Sequence, residues 1–75
     1  MRRKASRAIK ARKLGSIRRV TERAILARLT GQIDKAMRIE RKLEMRVEKA
    51  DRMGLDTLGA EERAHNRAYR RYRNL

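Results

Sequence analysis

The chain reads as an all-α protein of three to four helices, built on a long central helix or a helical hairpin with a coiled-coil-like seam. Three observations predict this. Proline, phenylalanine and tryptophan are absent, and Ala, Arg, Leu, Lys, Glu and Met dominate, the residues that enter helices at least conformational cost. Leu29, Ala36, Leu43 and Ala50 recur every seven residues, and Leu26, Ile33 and Val47 follow a second seven-residue track interrupted only by Glu40. Gly15, Gly31 and Gly54 punctuate the helical patterns.

Residues 1–15 form a basic arm or helix. Arg2, Arg3, Lys4, Arg7, Lys10, Arg12 and Lys13 have only Ala5, Ala8, Ile9, Ala11 and Leu14 as apolar company, a stripe too narrow to dock firmly. An Arg-rich, acid-poor start also characterises mitochondrial transit peptides, but the bases resume after Gly15 with no processing boundary. Gly15 can close this helix and Ser16 can cap the next.

Residues 16–53 form a central helical region with a possible break at Gly31. From Ile17 to Thr30 the apolar side chains occupy two faces, Ile17, Val20, Ala24 and Ala27 on one and Ile25, Leu26 and Leu29 on the other. Such a helix sits between two neighbours or at the centre of a dimer. The phase of the seven-residue tracks favours continuity through Gly31, and an unbroken helix from Ser16 to Met53 would span roughly 57 Å. Leu26, Ala27 and Gly31 have the spacing of a helix-turn-helix, with Met37 in an apolar position of the second helix. Gln32 and Glu40 then stand where that motif is apolar, so the match is not completed. Beyond Gly31, Asp34 with Arg38 and Glu48 with Arg52 are acid-before-base pairs one turn apart. Glu40, Glu44 and Glu48 make an acidic stripe, either solvated or facing the basic arm of the same or another subunit. Arg38, Arg41, Lys42, Lys49 and Arg52 cover the far side.

Residues 54–75 form a basic C-terminal helix. Gly54 is placed to end the preceding helix in the left-handed conformation with Leu55 folding back on it, and Asp56 or Thr57 can cap a helix from Leu58 to Arg73. Leu58, His65, Tyr69, Tyr72 and Leu75 share a face that reads as packed. The alternative for the tyrosines is stacking on bases.

A chain of 75 residues removes only about 60% of its unfolded surface on folding. With no cysteine and one histidine, reinforcement is expected from self-association or a bound ligand. Ten of the apolar residues are alanine, which bury little area.

Charge carries the functional signal. The net charge is +14, and 17 of the 23 basic residues are arginine, whose planar fork pairs bidentately with phosphate. Residues 1–33 carry a net +10, residues 34–62 a net −1 and residues 63–75 a net +5, so two basic blocks flank a neutral middle. This pattern predicts a non-enzymatic nucleic-acid-binding protein that grips the phosphate backbone of DNA or RNA. The contact residues expected are Arg2, Arg3, Lys4, Arg7, Lys10, Arg12, Lys13, Arg18, Arg19 and Arg23 at one end and Arg70, Arg71 and Arg73 at the other. Leu26, Leu29, Ile33, Ala36, Leu43, Val47 and Ala50 form the expected helix seam, within one chain or between two. The alternative is a structural or adaptor component of a virion or ribonucleoprotein whose basic ends bind acidic protein surfaces. An anionic membrane fits less well, because the basic arm lacks the Trp, Phe and Leu that insert into lipid. Neither a nucleophile–base pairing, a phosphate loop nor a metal-spaced ligand set is present, so no catalysis, cofactor or metal is expected. With no signal-peptide pattern or long apolar run, the expected location is the cytoplasm, the nucleoid or the inside of a virion.

Overall fold

The computed structural model describes the backbone of residues 2–75 and the side chains of residues 7–75. It contains three helices, α1 (Arg2–Leu29), α2 (Ile33–Arg52) and α3 (Leu58–Arg73), and no strand among the described residues. The lower end of the expected helix count is therefore the observed one.

The break expected at Gly15–Ser16 does not occur, and the basic arm is the first half of α1. A helical glycine costs about 1 kcal/mol, which tertiary contacts on both sides can offset. Gly15 is half-buried beside Asp56, Gly59 and Ala60, and the Ser16 hydroxyl, instead of capping, accepts a hydrogen bond from Arg46 Nη1.

At Gly31 the reverse holds. The long helix from Ser16 to Met53 is not formed, because Gly31 adopts φ +81° and turns the chain back. Its N–H donates to the Arg28 carbonyl at 3.1 Å and the Gln32 N–H to the Ala27 carbonyl at 2.8 Å, the two bonds of a Schellman turn. Gly54, at φ +75°, repeats the device: its N–H reaches the Asp51 carbonyl at 2.9 Å and the Leu55 N–H the Ala50 carbonyl at 3.0 Å. Leu55 is then buried against the end of α2, and the Leu58 N–H finds Asp56 Oδ1 at 3.0 Å as α3 begins.

These two turns make α2 antiparallel and α3 parallel to α1. Both pack on α1, and among the described residues they do not pack on each other. The result is a flat layer with α1 in the middle, 45 × 23 × 15 Å. The two apolar faces of α1 are explained by this position. The α2 side of α1 is marked by Ser16 and Arg28, which bond Arg46 and Glu40, and the α3 side by Glu22, which lies beside Arg67 and Arg71.

On α2, Ala36 and Ala50 are buried, and Leu43 and Val47 pack half-buried against the cluster of Ile17, Ala50, Leu55 and Ala60. Leu26 and Leu29 are half-buried on α1, while Ile33 is 46% exposed. The α2 part of the expected seam is thus an intramolecular contact, and it does not extend as one stripe through Gly31.

The packed face of α3 is not the one expected. Leu58, His65, Tyr69, Tyr72 and Leu75 are exposed, and the buried residues are Ala60, Ala64 and Ala68. Methyl groups one turn apart let the α3 backbone approach α1 closely, which leaves the larger side chains on the flank without room to enter. Seven of the nine buried apolar residues are alanine, and Ile17 is the one large side chain fully buried among the described residues. The core is accordingly thin.

Candidate nucleic-acid interface

In α1, Arg12, Arg19 and Arg23 are exposed and spaced by seven and four residues, which sets them in a row along one face of the helix. The first half of α1 runs beyond its neighbours: residues 7–12 are all exposed, so Arg7, Lys10 and Arg12 line a projecting basic rod. Lys13 and Arg18 are half-buried where α2 and α3 begin to cover the helix. The side chains of Arg2, Arg3 and Lys4 lie outside the described residues.

Four of the seven cations of α2 share a flank. Lys35, Lys42 and Lys49 recur every seven residues with Arg46 beside them, while Glu40, Glu44 and Asp51 occupy the other flank of the same buried stripe. Two contacts fix which way the basic flank points. Arg46 and Lys49 border a groove with Lys13 and Ser16 of α1. Lys35 enters an open cleft of about 480 Å³ with Arg23 of α1 and Arg71 of α3, floored by Leu26 and Ala27. All three helices therefore bring cations to the same side of the layer.

In α3, Arg63, Arg67 and Arg70 lie on one flank of the alanine stripe and Glu61, His65, Tyr69 and Tyr72 on the other, while Arg71 continues the line of the stripe beyond Ala68. Arg18 of α1 joins Arg63, Asn66, Arg67 and Arg70 around a groove of about 450 Å³ with no acidic side chain in its lining. Beneath this flank is Glu22, the sole acid of the first 33 residues, its side chain only 10% exposed. Glu22 Oε1 lies 3.7 Å from Arg67 Nε and Oε2 lies 3.7 Å from Arg71 Nη1. Arg73 projects from the edge of α3 opposite the alanines.

The other side of the layer is different in kind. Arg28, about 140° around α1 from Arg23, forms a two-pronged pair with Glu40, Nε to Oε2 and Nη2 to Oε1, the latter at 2.7 Å. The hydrogen bond from Arg28, followed by its charge, holds the Glu40 carboxyl below its ordinary range, and the same pairing raises the Arg28 guanidinium. On α3 the rings of His65 and Tyr69, one turn apart, stack with centroids 6.4 Å apart.

No protein family, curated protein or solved structure matches the chain.

The face is thus read from its own chemistry. Of the expected contact residues, Arg12, Arg19, Arg23, Arg70 and Arg71 come together on it, Arg18, about 140° around α1 from Arg23, joins only at the α3 groove, and Arg7 and Lys10 lie on the projecting rod. Lys35, Lys42, Arg46, Lys49, Arg63 and Arg67 were not singled out by the two-block reading. Their signal is present in the sequence as spacing, since Lys35, Lys42 and Lys49 keep the period of Ala36, Leu43 and Ala50, but only the fold shows which flank faces Arg23 and Arg71. Among the described residues, no cluster of His, Cys, Asp or Glu is placed to hold a metal ion, and no helix is long and apolar enough to cross a membrane.

Proposed function

We propose that this protein is a non-enzymatic nucleic-acid-binding protein that lays one flat, basic face along the phosphate backbone. The observation that carries the reading is the convergence of Arg23, Lys35 and Arg71, one from each helix, on the side that also bears the α1 arginine row and the α3 arginine flank. Acids of the neutral middle, Glu40, Glu44 and Asp51, lie on the opposite flank of α2, so a middle that is neutral along the sequence becomes two-sided in the fold. Cations crowded on a thin layer repel one another, and a polyanion relieves that repulsion while releasing its own condensed counterions. Contacts of this kind position the protein on the backbone and carry little base readout.

The experiment is a salt titration of binding to mixed-sequence DNA and RNA, with anionic phospholipid vesicles and an acidic protein in parallel. With about six phosphates engaged, the slope of log affinity against log salt should be near −5 on duplex DNA. A slope shallower than about −2 contradicts the proposal. Tighter binding to the vesicles or the acidic protein than to either nucleic acid contradicts it as well.

A further inference from the structure

Resting on that reading, the geometry points to one fixed phosphodiester site within the basic face: the groove lined by Arg18, Arg63, Arg67 and Arg70, with Glu22 behind it as a positioning carboxylate. Three observations lead there. The first is concavity. Arg18, Arg63, Arg67, Arg70 and Asn66 surround a shallow recess of about 450 Å³, and, unlike the cleft of Arg23, Lys35 and Arg71, every cation lining it is an arginine. The second is residue type. The α2 part of the face is lysine-rich, with Lys35, Lys42 and Lys49, but every basic residue of α3 is arginine. Lysine meets a phosphate as a point charge, whereas a guanidinium offers parallel N–H groups in a fixed plane that match two phosphate oxygens.

The third is Glu22. An exposed arginine samples many rotamers and loses that side-chain entropy when a ligand fixes it. Glu22 draws Arg67 and Arg71, one turn apart on α3, toward α1 before any ligand arrives. The Glu22 side chain is only 10% exposed while the two arginine side chains remain 60% and 63% exposed, so the N–H groups not turned toward Glu22 are left accessible to solvent and to an incoming anion. The acid is therefore placed to orient the cations and not to screen them from a ligand. The group recognised is a phosphate diester oxygen pair of the nucleic-acid backbone.

Charge-conserving substitutions test this, because they leave the general attraction intact. Arg63→Lys with Arg70→Lys, neither of which pairs with Glu22, should weaken binding to mixed-sequence nucleic acid about ten-fold at fixed salt with the salt slope unchanged. Arg41→Lys with Arg52→Lys, on the solvent edge of α2, should leave affinity as it was. Glu22→Gln adds one unit of net positive charge, so general attraction alone would tighten binding; the positioning role requires that binding weaken, with the salt slope kept. Arg63→Lys with Arg70→Lys behaving like the α2 pair, or Glu22→Gln binding more tightly than the parent, overturns the site. If Glu22→Gln loses its helical circular dichroism, the two arginine pairs, which leave the Glu22 contacts in place, decide the matter. A steep parental salt slope with a silent groove pair removes the fixed site and keeps the nucleic-acid reading, whereas a shallow parental slope removes that reading itself.

Discussion

Gly15 and Gly31 look alike in the sequence and have opposite consequences. Each stands where a helix can end, but Gly15 continues α1 while Gly31 holds φ +81°. A Cβ at Gly31 would meet nothing within 4 Å, so the penalty there is purely conformational. Gly31→Ala should destabilise the fold by about 1–2 kcal/mol and lower the melting temperature by roughly 4–8 °C per kcal/mol. At Gly15 the nearest atom to a new Cβ is the movable Arg19 Nη1 at 3.5 Å, so Gly15→Ala should stabilise by about 0.5–1 kcal/mol. Thermal melts of the two variants should shift in opposite directions.

The Arg28–Glu40 pair makes a pH prediction. Because the folded Glu40 carboxyl titrates below its ordinary value of 4.5, its stabilisation is complete above that value and is lost as pH falls through the folded one. The pair is exposed, so the effect is small and weakens with salt. Glu40→Gln should flatten the decline of the melting temperature below about pH 4.5, leaving the neutral-pH melt little changed. At this scale the sequence was only partly legible. Glu22 reads as a lone acid in a basic block until α3 is folded onto α1, and nothing within its own segment announces Arg67 and Arg71, 45 and 49 positions away.

Among the elements, α2 was the most legible and α3 the least. The heptad of Ala36, Leu43 and Ala50 names the buried face of α2 correctly, and the pattern Met53-Gly54-Leu55 names its end. The same heptad misled at Gly31, because two helices of a hairpin can keep one apparent phase across a turn that takes only three residues out of register. In α3 the large side chains mark the flank and the alanines mark the contact. A search for bulky apolar residues therefore selects the wrong face, whereas spacing of Ala60, Ala64 and Ala68 by one turn gives the right one. Close approach at this stripe has a direct test. Ala64 is fully buried, so Ala64→Leu should force α3 away from α1 and cost about 1–3 kcal/mol, seen as a lower urea midpoint. Leu58, on the same helix but 70% exposed, is the control: Leu58→Ala should alter stability by no more than about 0.5 kcal/mol.

For the molecule as a whole, the two-block description of charge along the chain gives way to a two-sided description in space. The hairpin folds α2 back along α1, and α3 returns alongside, so the neutral middle is split lengthwise into a basic flank and an acidic one. Thin packing and a net charge of +14 belong to the same design: seven buried alanines keep the layer flat, and flatness exposes cations from three helices together. The central claim is that this face, and not net charge, determines binding. Arg19→Glu with Lys42→Glu places two reversals on the face, and Arg41→Glu with Arg52→Glu places two on the solvent edge of α2, the net charge falling equally in both. The measurement is affinity for mixed-sequence duplex DNA as a function of salt for the two double variants and the parent. The face predicts that the first variant loses at least about ten-fold in affinity and makes the slope shallower by about 1.8, while the second stays within about three-fold of the parent. Equal losses in the two variants would show that attraction follows net charge alone and would contradict the face.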